Sequence, residues 1–219
     1  MKAISAAALV NKKFKLLNWQ GSFLEAFGNT ENTGVWFVWG GSGNGKTTFV
    51  FQMVKALITK DKAMVNSLEE GNKLTMKNTL IKVGLSKKEL RRITITCEPM
   101  DEFSKRLIAA QPMPKIAVVD SVQMTNWTWA DYVAFKQAHA DKLLVFISQS
   151  EKGKPIGKLA ERIKFDANQK IMVEGFRAIS NGRSNPGGIY TIWAQGAANY
   201  WGIKETEQNN NNKEVTNEN

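Results

Sequence analysis

The chain has 219 residues, enough to bury a full core in one domain. Its apolar fraction of 42% suits a globular protein, and no run approaches the ~20 apolar residues of a membrane span, so no membrane partner is expected. The formal net charge is +10, and a single cysteine and a single histidine exclude a disulfide framework and a Cys/His metal cluster.

Cysteine usage of this kind fits a reducing cytoplasm. A short apolar run from Ile4 to Val10 follows Lys2, but Lys12, Lys13 and Lys15 come at once and no cleavage pattern is clear, so it is not read as a signal peptide. The charge is uneven. From Glu205 onward Glu205, Glu207, Glu214 and Glu218 stand against Lys213 alone, so the rest of the chain is more basic than the total. A body this basic attracts polyanions, with nucleic acid the leading candidate.

Residues 1–33 form a lead-in with a helix expected near Ser22 to Phe27. Its apolar residues Phe14, Leu16, Leu17, Trp19, Phe23, Leu24 and Phe27 need a surface to pack on. Strands and helices then alternate through a main domain, residues 34–204. Strands are predicted at Val35–Trp39, Ala63–Ser67, Ile93–Thr96, Ile116–Val119, Leu143–Ile147, Ile171–Val173 and Tyr190–Trp193. Helices are predicted at Thr47–Leu57, Lys73–Val83, Asp101–Ala109 and Ala130–Ala140. Continuous apolar strands between helices predict an α/β fold, a mostly parallel twisted sheet covered on both faces. Asn181-Gly182 and Pro186-Gly187-Gly188 mark a C-terminal hairpin turn. Residues 205–219 are Asn-rich, acidic and without a core pattern, and are read as a disordered tail.

The stretch Gly40-Gly41-Ser42-Gly43-Asn44-Gly45-Lys46-Thr47, followed by Thr48, fits the P-loop pattern between a strand and a helix. Glycines let backbone N–H groups turn toward phosphate oxygens, and the helix N-terminus adds positive potential there. Lys46 is expected on the β/γ-phosphates and the Thr47 hydroxyl on Mg²⁺. Asp120 closes an apolar strand in the form of a Walker B carboxylate, expected to hold Mg²⁺ through water. Glu69 and Glu70 follow the second strand; either carboxylate can orient or deprotonate the attacking water, and Glu69 is taken. Gln149 follows the Leu143–Ile147 strand, where an amide can sense the γ-phosphate or serve as an ordinary loop residue.

The ordered set Gly40–Thr47, Ser67-Leu68-Glu69, Ile116–Asp120 and Ile147-Ser148-Gln149 resembles the RecA/RadA/DnaB-type P-loop ATPases. The stretch Gly157–Asn168 resembles the segment before a late core strand in hexameric helicases and RadA. Asn181–Gly188 resembles their hairpin K-x-R-x-G-P-x-G. The resemblance spans roughly residues 34–201. It implies ATP and Mg²⁺ as cofactors, hydrolysis, and a ring or filament of identical subunits. It gives Lys46, Glu69, Asp120 and Gln149 the roles above, and makes Arg183 the finger that reaches a neighbouring subunit's nucleotide. Asn181 stands where the family pattern has lysine, and Asn185 where it has glycine.

The resemblance also places a single-stranded DNA path on two loops. One is Ser121–Trp129, with Trp127 and Trp129. The other is Ser150–Lys164, with Lys152, Lys154, Lys158 and Arg162, whose glycines and Pro155 suggest a mobile loop. Lysines neutralise phosphates and aromatic faces stack bases without reading sequence. The leading expectation is a DNA-stimulated ATPase of recombination, repair or replication. The alternative is a nucleotide-switched loader or partner-binding module with weak ATPase activity. A small-molecule kinase would need an acceptor site and usually an Arg-rich lid, for which the basic Ser150–Lys164 segment is a poor substitute, and a GTPase is not expected because no N-K-x-D motif appears.

Overall fold

The computed structural model describes residues 3–59, 61–182 and 185–202. It opens with α1 (Ala6–Val10) and α2 (Ser22–Phe27). β1 (Gly34–Gly40), α3 (Lys46–Leu57), β2 (Ala63–Ser67), α4 (Leu74–Val83), α5 (Lys87–Leu90) and β3 (Ile93–Thr96) follow. Then come α6 (Met100–Ala109), β4 (Ile116–Asp120), a 3₁₀ turn (Val122–Met124) and α7 (Trp129–Ala138). The chain continues through β5 (Leu143–Glu151), β6 (Lys154–Pro155), α8 (Lys158–Asp166), β7 (Gln169–Glu174), β8 (Arg177–Ser180), β9 (Ile189–Thr191) and α9 (Ala194–Trp201).

The strands join in the order β3-β2-β4-β5-β1-β7-β8-β9. The first six in that order run parallel, and β8 and β9 extend the edge antiparallel. The period-two alternation of strand side chains divides the core into two layers. Trp36, Val38, Val65, Val118 and Val145 pack on one face with Phe49, Met53 and Val54 of α3. Val35, Phe37, Trp39, Val119 and Phe146 pack on the other with Phe103 of α6, Tyr132 and Phe135 of α7, and Ile163 of α8. Both faces being covered explains why these strands read as unbroken apolar runs.

The lead-in covers the α3 face. Leu17, Trp19 and Phe27 are buried, and Trp19 and Phe27 meet the Trp36 ring at centroid distances of 5.7 and 5.6 Å. Phe14, Leu16 and Leu24 stay exposed, contrary to the expectation that all seven apolar residues are covered.

The sequence reading does not name helices α1, α5, α8 and α9, and three further departures bear on the site. β8, a strand the sequence reading does not name, pairs with both β7 and β9, so residues 181–188 fall between β8 and β9. Strand β5 runs on to Glu151 rather than stopping at Ile147. The segment Ser150–Lys164 is a hairpin and a helix, not an open mobile loop. Ser150 and Glu151 pair with Pro155 and Lys154, and Lys152 and Gly153 both take positive φ (49° and 76°). That is the two-residue turn whose twist matches paired strands. Pro155 is buried at the hairpin's end. Residues 203–219, which include the whole of the anticipated tail, lie outside the described residues, as do Arg183 and Ser184.

Candidate nucleotide site and its basic hairpin

A parallel sheet brings the C-terminal ends of β1, β2, β4 and β5 to one edge, and the functional candidates gather there. The P-loop connects β1 to α3. Gly40 must be glycine because a Cβ would overlap the Val173 carbonyl of the adjacent β7. Gly45 sits at φ 95° immediately before the first helical residue, Lys46. Asn44 fastens the loop from outside: its Oδ1 accepts from Gly175 N at 2.8 Å, and its Nδ2 donates to the Ser42 carbonyl. Sequence reading placed Asn44 in the loop but had no signal for this tie to the β7–β8 turn.

Lys46 Nζ donates to the Gly41 carbonyl at 2.9 Å, folding over its own loop. Burial lowers its pKa, opposed by the charges of Asp120, Glu69 and Glu70. Thr47 Oγ1 donates to Asp120 Oδ2 at 3.4 Å. Asp120 is only 4% exposed, and burial first, then the charges of Glu69 and Glu70, push its carboxyl up to about 7. A carboxylate buried in this way is stable either protonated or beside a cation. Glu70 Oε2 is also buried and has no hydrogen-bond partner among the described residues. A hydroxyl and hard carboxylate oxygens beside the P-loop suit a divalent cation such as Mg²⁺, and Thr47 and Asp120 are the residues that would hold it.

The Glu69 loop is pinned to the end of β4: Leu68 N and Glu69 N both donate to the Asp120 carbonyl, at 2.6 and 3.1 Å. Glu69 is exposed at the mouth, and its Oε1 accepts from Gln149 Nε2 at 3.0 Å. Lys46, Thr47, Glu69, Asp120 and Gln149 therefore lie in one connected cluster. Arg183 is outside the described residues.

One residue of this cluster escaped the sequence reading. Gln123, in the 3₁₀ turn after β4, donates through Nε2 to Ser148 Oγ and to the Ile156 carbonyl, both at 2.8 Å. Its Oε1 accepts from Gln149 N at 3.2 Å. It thus joins β5 to the end of the basic hairpin. All three partners lie at least 25 residues away, so local pattern carries no sign of it.

Lys152, Lys154 and Lys158 are exposed on the hairpin and the start of α8. The hairpin tip is held by Trp39 Nε1, which donates to the Gly153 carbonyl at 3.1 Å. The two tryptophans differ from the open stacking platforms anticipated. Trp127 packs on Phe135 and Phe146 at centroid distances of 5.0 and 6.4 Å. Trp129 packs on Tyr132 and carries the Arg162 guanidinium 4.2 Å from its ring centroid. The physical reason is that α7 begins at Trp129 and folds both indoles against the α6–α8 side of the sheet. Among the described residues no helix is long and apolar enough to cross a membrane.

The fold is that of the RecA-like P-loop ATPases. FlaH, the flagellar accessory protein of Methanocaldococcus jannaschii, is similar with a TM-score of 0.61 and 14% identity, over 81% of this chain and 93% of FlaH. The KaiC-like protein PH0186 of Pyrococcus horikoshii is similar with a TM-score of 0.57 and 16% identity, over 75% of this chain and 88% of that one. No protein-family model matches the chain, and no curated protein matches its sequence.

Proposed function

We propose that this chain binds and hydrolyses Mg-ATP and couples that cycle to single-stranded nucleic acid, DNA in particular. The observation that carries the reading is the hydrogen bond from Gln149 to Glu69. It links the residue facing the reacting phosphate to β5, the strand that continues without a break into the Lys152–Lys154 hairpin.

In this reading the P-loop N–H groups and Lys46 hold the triphosphate and offset its charge. Thr47 and Asp120 hold Mg²⁺, which when bound neutralises charge on the phosphate oxygens. Glu69 orients the attacking water and accepts its proton. Gln149 positions Glu69, and Gln123 carries a change at Gln149 to the hairpin. Lys152, Lys154 and Lys158 meet nucleic-acid phosphates, which makes binding independent of sequence and sensitive to salt. Arg183 supplies a finger to a neighbouring copy, and the working form is a homo-oligomer in the cytoplasm.

A second reading, a nucleotide-switched partner-binding module with weak turnover, is favoured by one observation: Trp127 and Trp129 are engaged in packing. Turnover and binding measured on Glu69→Gln test the chemistry. ATP binding stays close to wild type while hydrolysis falls about a hundredfold or more. A Glu69→Gln protein with undiminished hydrolysis contradicts the assignment.

A further inference from the structure

The opposite pole of the sheet carries a second basic feature. There β2 and β3 begin, and their lead residues are tied together: Ala63 N donates to the Arg92 carbonyl and Lys115 N to the Lys62 carbonyl. Lys62, Lys87, Lys88, Arg91 and Arg92 line a concavity of about 680 Å³ with Pro112 as its apolar wall. Three of these cations lie on or next to the single turn of α5, where Lys87 and Arg91 are four residues apart and Lys88 and Arg91 three. Like charges at those spacings repel and disfavour the helix.

No carboxylate among the described residues is placed to offset that repulsion by pairing. Among the described residues none of the five cations forms an ion pair. By contrast Lys105, Arg106, Lys115, Lys136 and Lys142 all pair with carboxylates. The acid inside α5, Glu89, is turned to the helix start, where its carboxylate accepts from Ser86 N at 2.7 Å. The other flanking acid, Asp61, offers Arg92 only its backbone carbonyl.

We infer that this cleft is a second nucleic-acid site, one that takes the phosphate backbone of a single strand at the pole opposite the P-loop. Unpaired cations around a recess match a chain of phosphates, whose bound counterions they displace. The concave form disfavours a bilayer: cations inside a recess do not all reach a flat plane of headgroups. The apolar wall at Pro112 gives sugar or base surface a place to rest. The site is separate from the Lys152–Lys154 hairpin and does not depend on that hairpin binding DNA.

The test is oligothymidylate binding by fluorescence anisotropy as a function of salt, using the full chain. Lys88→Gln/Arg91→Gln changes two exposed residues remote from the nucleotide site. Its affinity is expected to fall about tenfold at ~0.15 M salt, and its log–log salt slope to flatten by about 1.4, the share of two phosphate contacts on a single strand. ATP hydrolysis without DNA stays at the wild-type rate, which also reports folding. In the unmutated protein, oligothymidylate is expected to protect Lys62, Lys87 and Lys88 from amine acetylation several-fold.

Wild-type binding and slope in the variant, with unprotected lysines, overturn the site; this holds even when Lys152→Ala/Lys154→Ala loses binding, a result that bears on the hairpin alone. Unchanged DNA binding with loss of adhesion to phosphatidylserine vesicles overturns it in favour of a membrane surface.

Discussion

Gln149 Nε2 donates to Glu69 Oε1 at 3.0 Å, across a gap of 80 residues in sequence. The bond joins the ends of β5 and β2, which are not neighbours in the sheet; β4 lies between them. The Asp120 carbonyl completes the arrangement by accepting from Glu69 N, so Glu69 is held at its backbone by β4 and at its carboxylate by β5. Gln149→Ala is expected to release that hold. ATP affinity then changes little, while turnover falls about tenfold and no longer responds to DNA. Separate measurements of nucleotide binding and steady-state hydrolysis check it, and a loss confined to ATP affinity contradicts it.

Asp120 makes stability depend on pH. Its carboxyl is pushed from 3.8 up to about 7, mainly by burial. The folded state therefore holds a proton that the unfolded chain has released, and stability falls as pH rises from about 4 through 7. Asp120→Asn removes the buried charge. In nucleotide-free protein it is expected to raise Tm at pH 8, by a free energy on the order of 4 kcal/mol, and by less at pH 5. Thermal melts at the two pH values test it. Equal gains at both contradict the assignment, and Mg-ATP should no longer stabilise the variant as it does wild type.

Gln123 is a positioning residue. Gln123→Ala leaves Ser148, Gln149 N and the Ile156 carbonyl without their shared partner. Hydrolysis in the absence of DNA should stay within about twofold of wild type, while stimulation by DNA is lost. Gln123→Glu keeps the acceptor to Gln149 N but not the two donated bonds, and should behave like the alanine variant. Full stimulation in both variants removes Gln123 from the coupling path.

The two tryptophans separate packing from binding. Trp127→Ala should cost roughly 3 kcal/mol of stability, since it removes a ring from the Phe135–Phe146 cluster. Trp129→Ala should cost less, because its ring sits at the start of α7 and holds Arg162 at the surface. Denaturant unfolding orders the two; a larger loss at Trp129 contradicts the packing described.

The sheet was legible because each parallel strand is buried on both faces and so writes a continuous apolar run, as in Val35–Trp39 and Ile116–Val119. The P-loop was legible because phosphate binding demands glycines and a lysine at fixed spacing. Asp120, Glu69 and Gln149 stood out because each closes or follows such a run. What stayed hidden depends on partners distant in sequence. Gln123 shows nothing until Ser148 and Ile156 arrive beside it. The Lys152-Gly153 turn was obscured because its basic composition also suits an open loop. The cleft around Arg91 is assembled from three separate segments, none of which is unusual alone. Trp127 has the same letter whether it stacks on a base or on Phe135.

Steady-state ATP hydrolysis with and without single-stranded DNA, with Lys46→Ala as the blank, tests the central claim most directly. The account predicts turnover that vanishes in Lys46→Ala and rises several-fold with DNA in the unaltered chain. Lys46-dependent turnover at one rate with and without DNA would contradict the coupling of β5 to nucleic acid and favour a switch read by a protein partner.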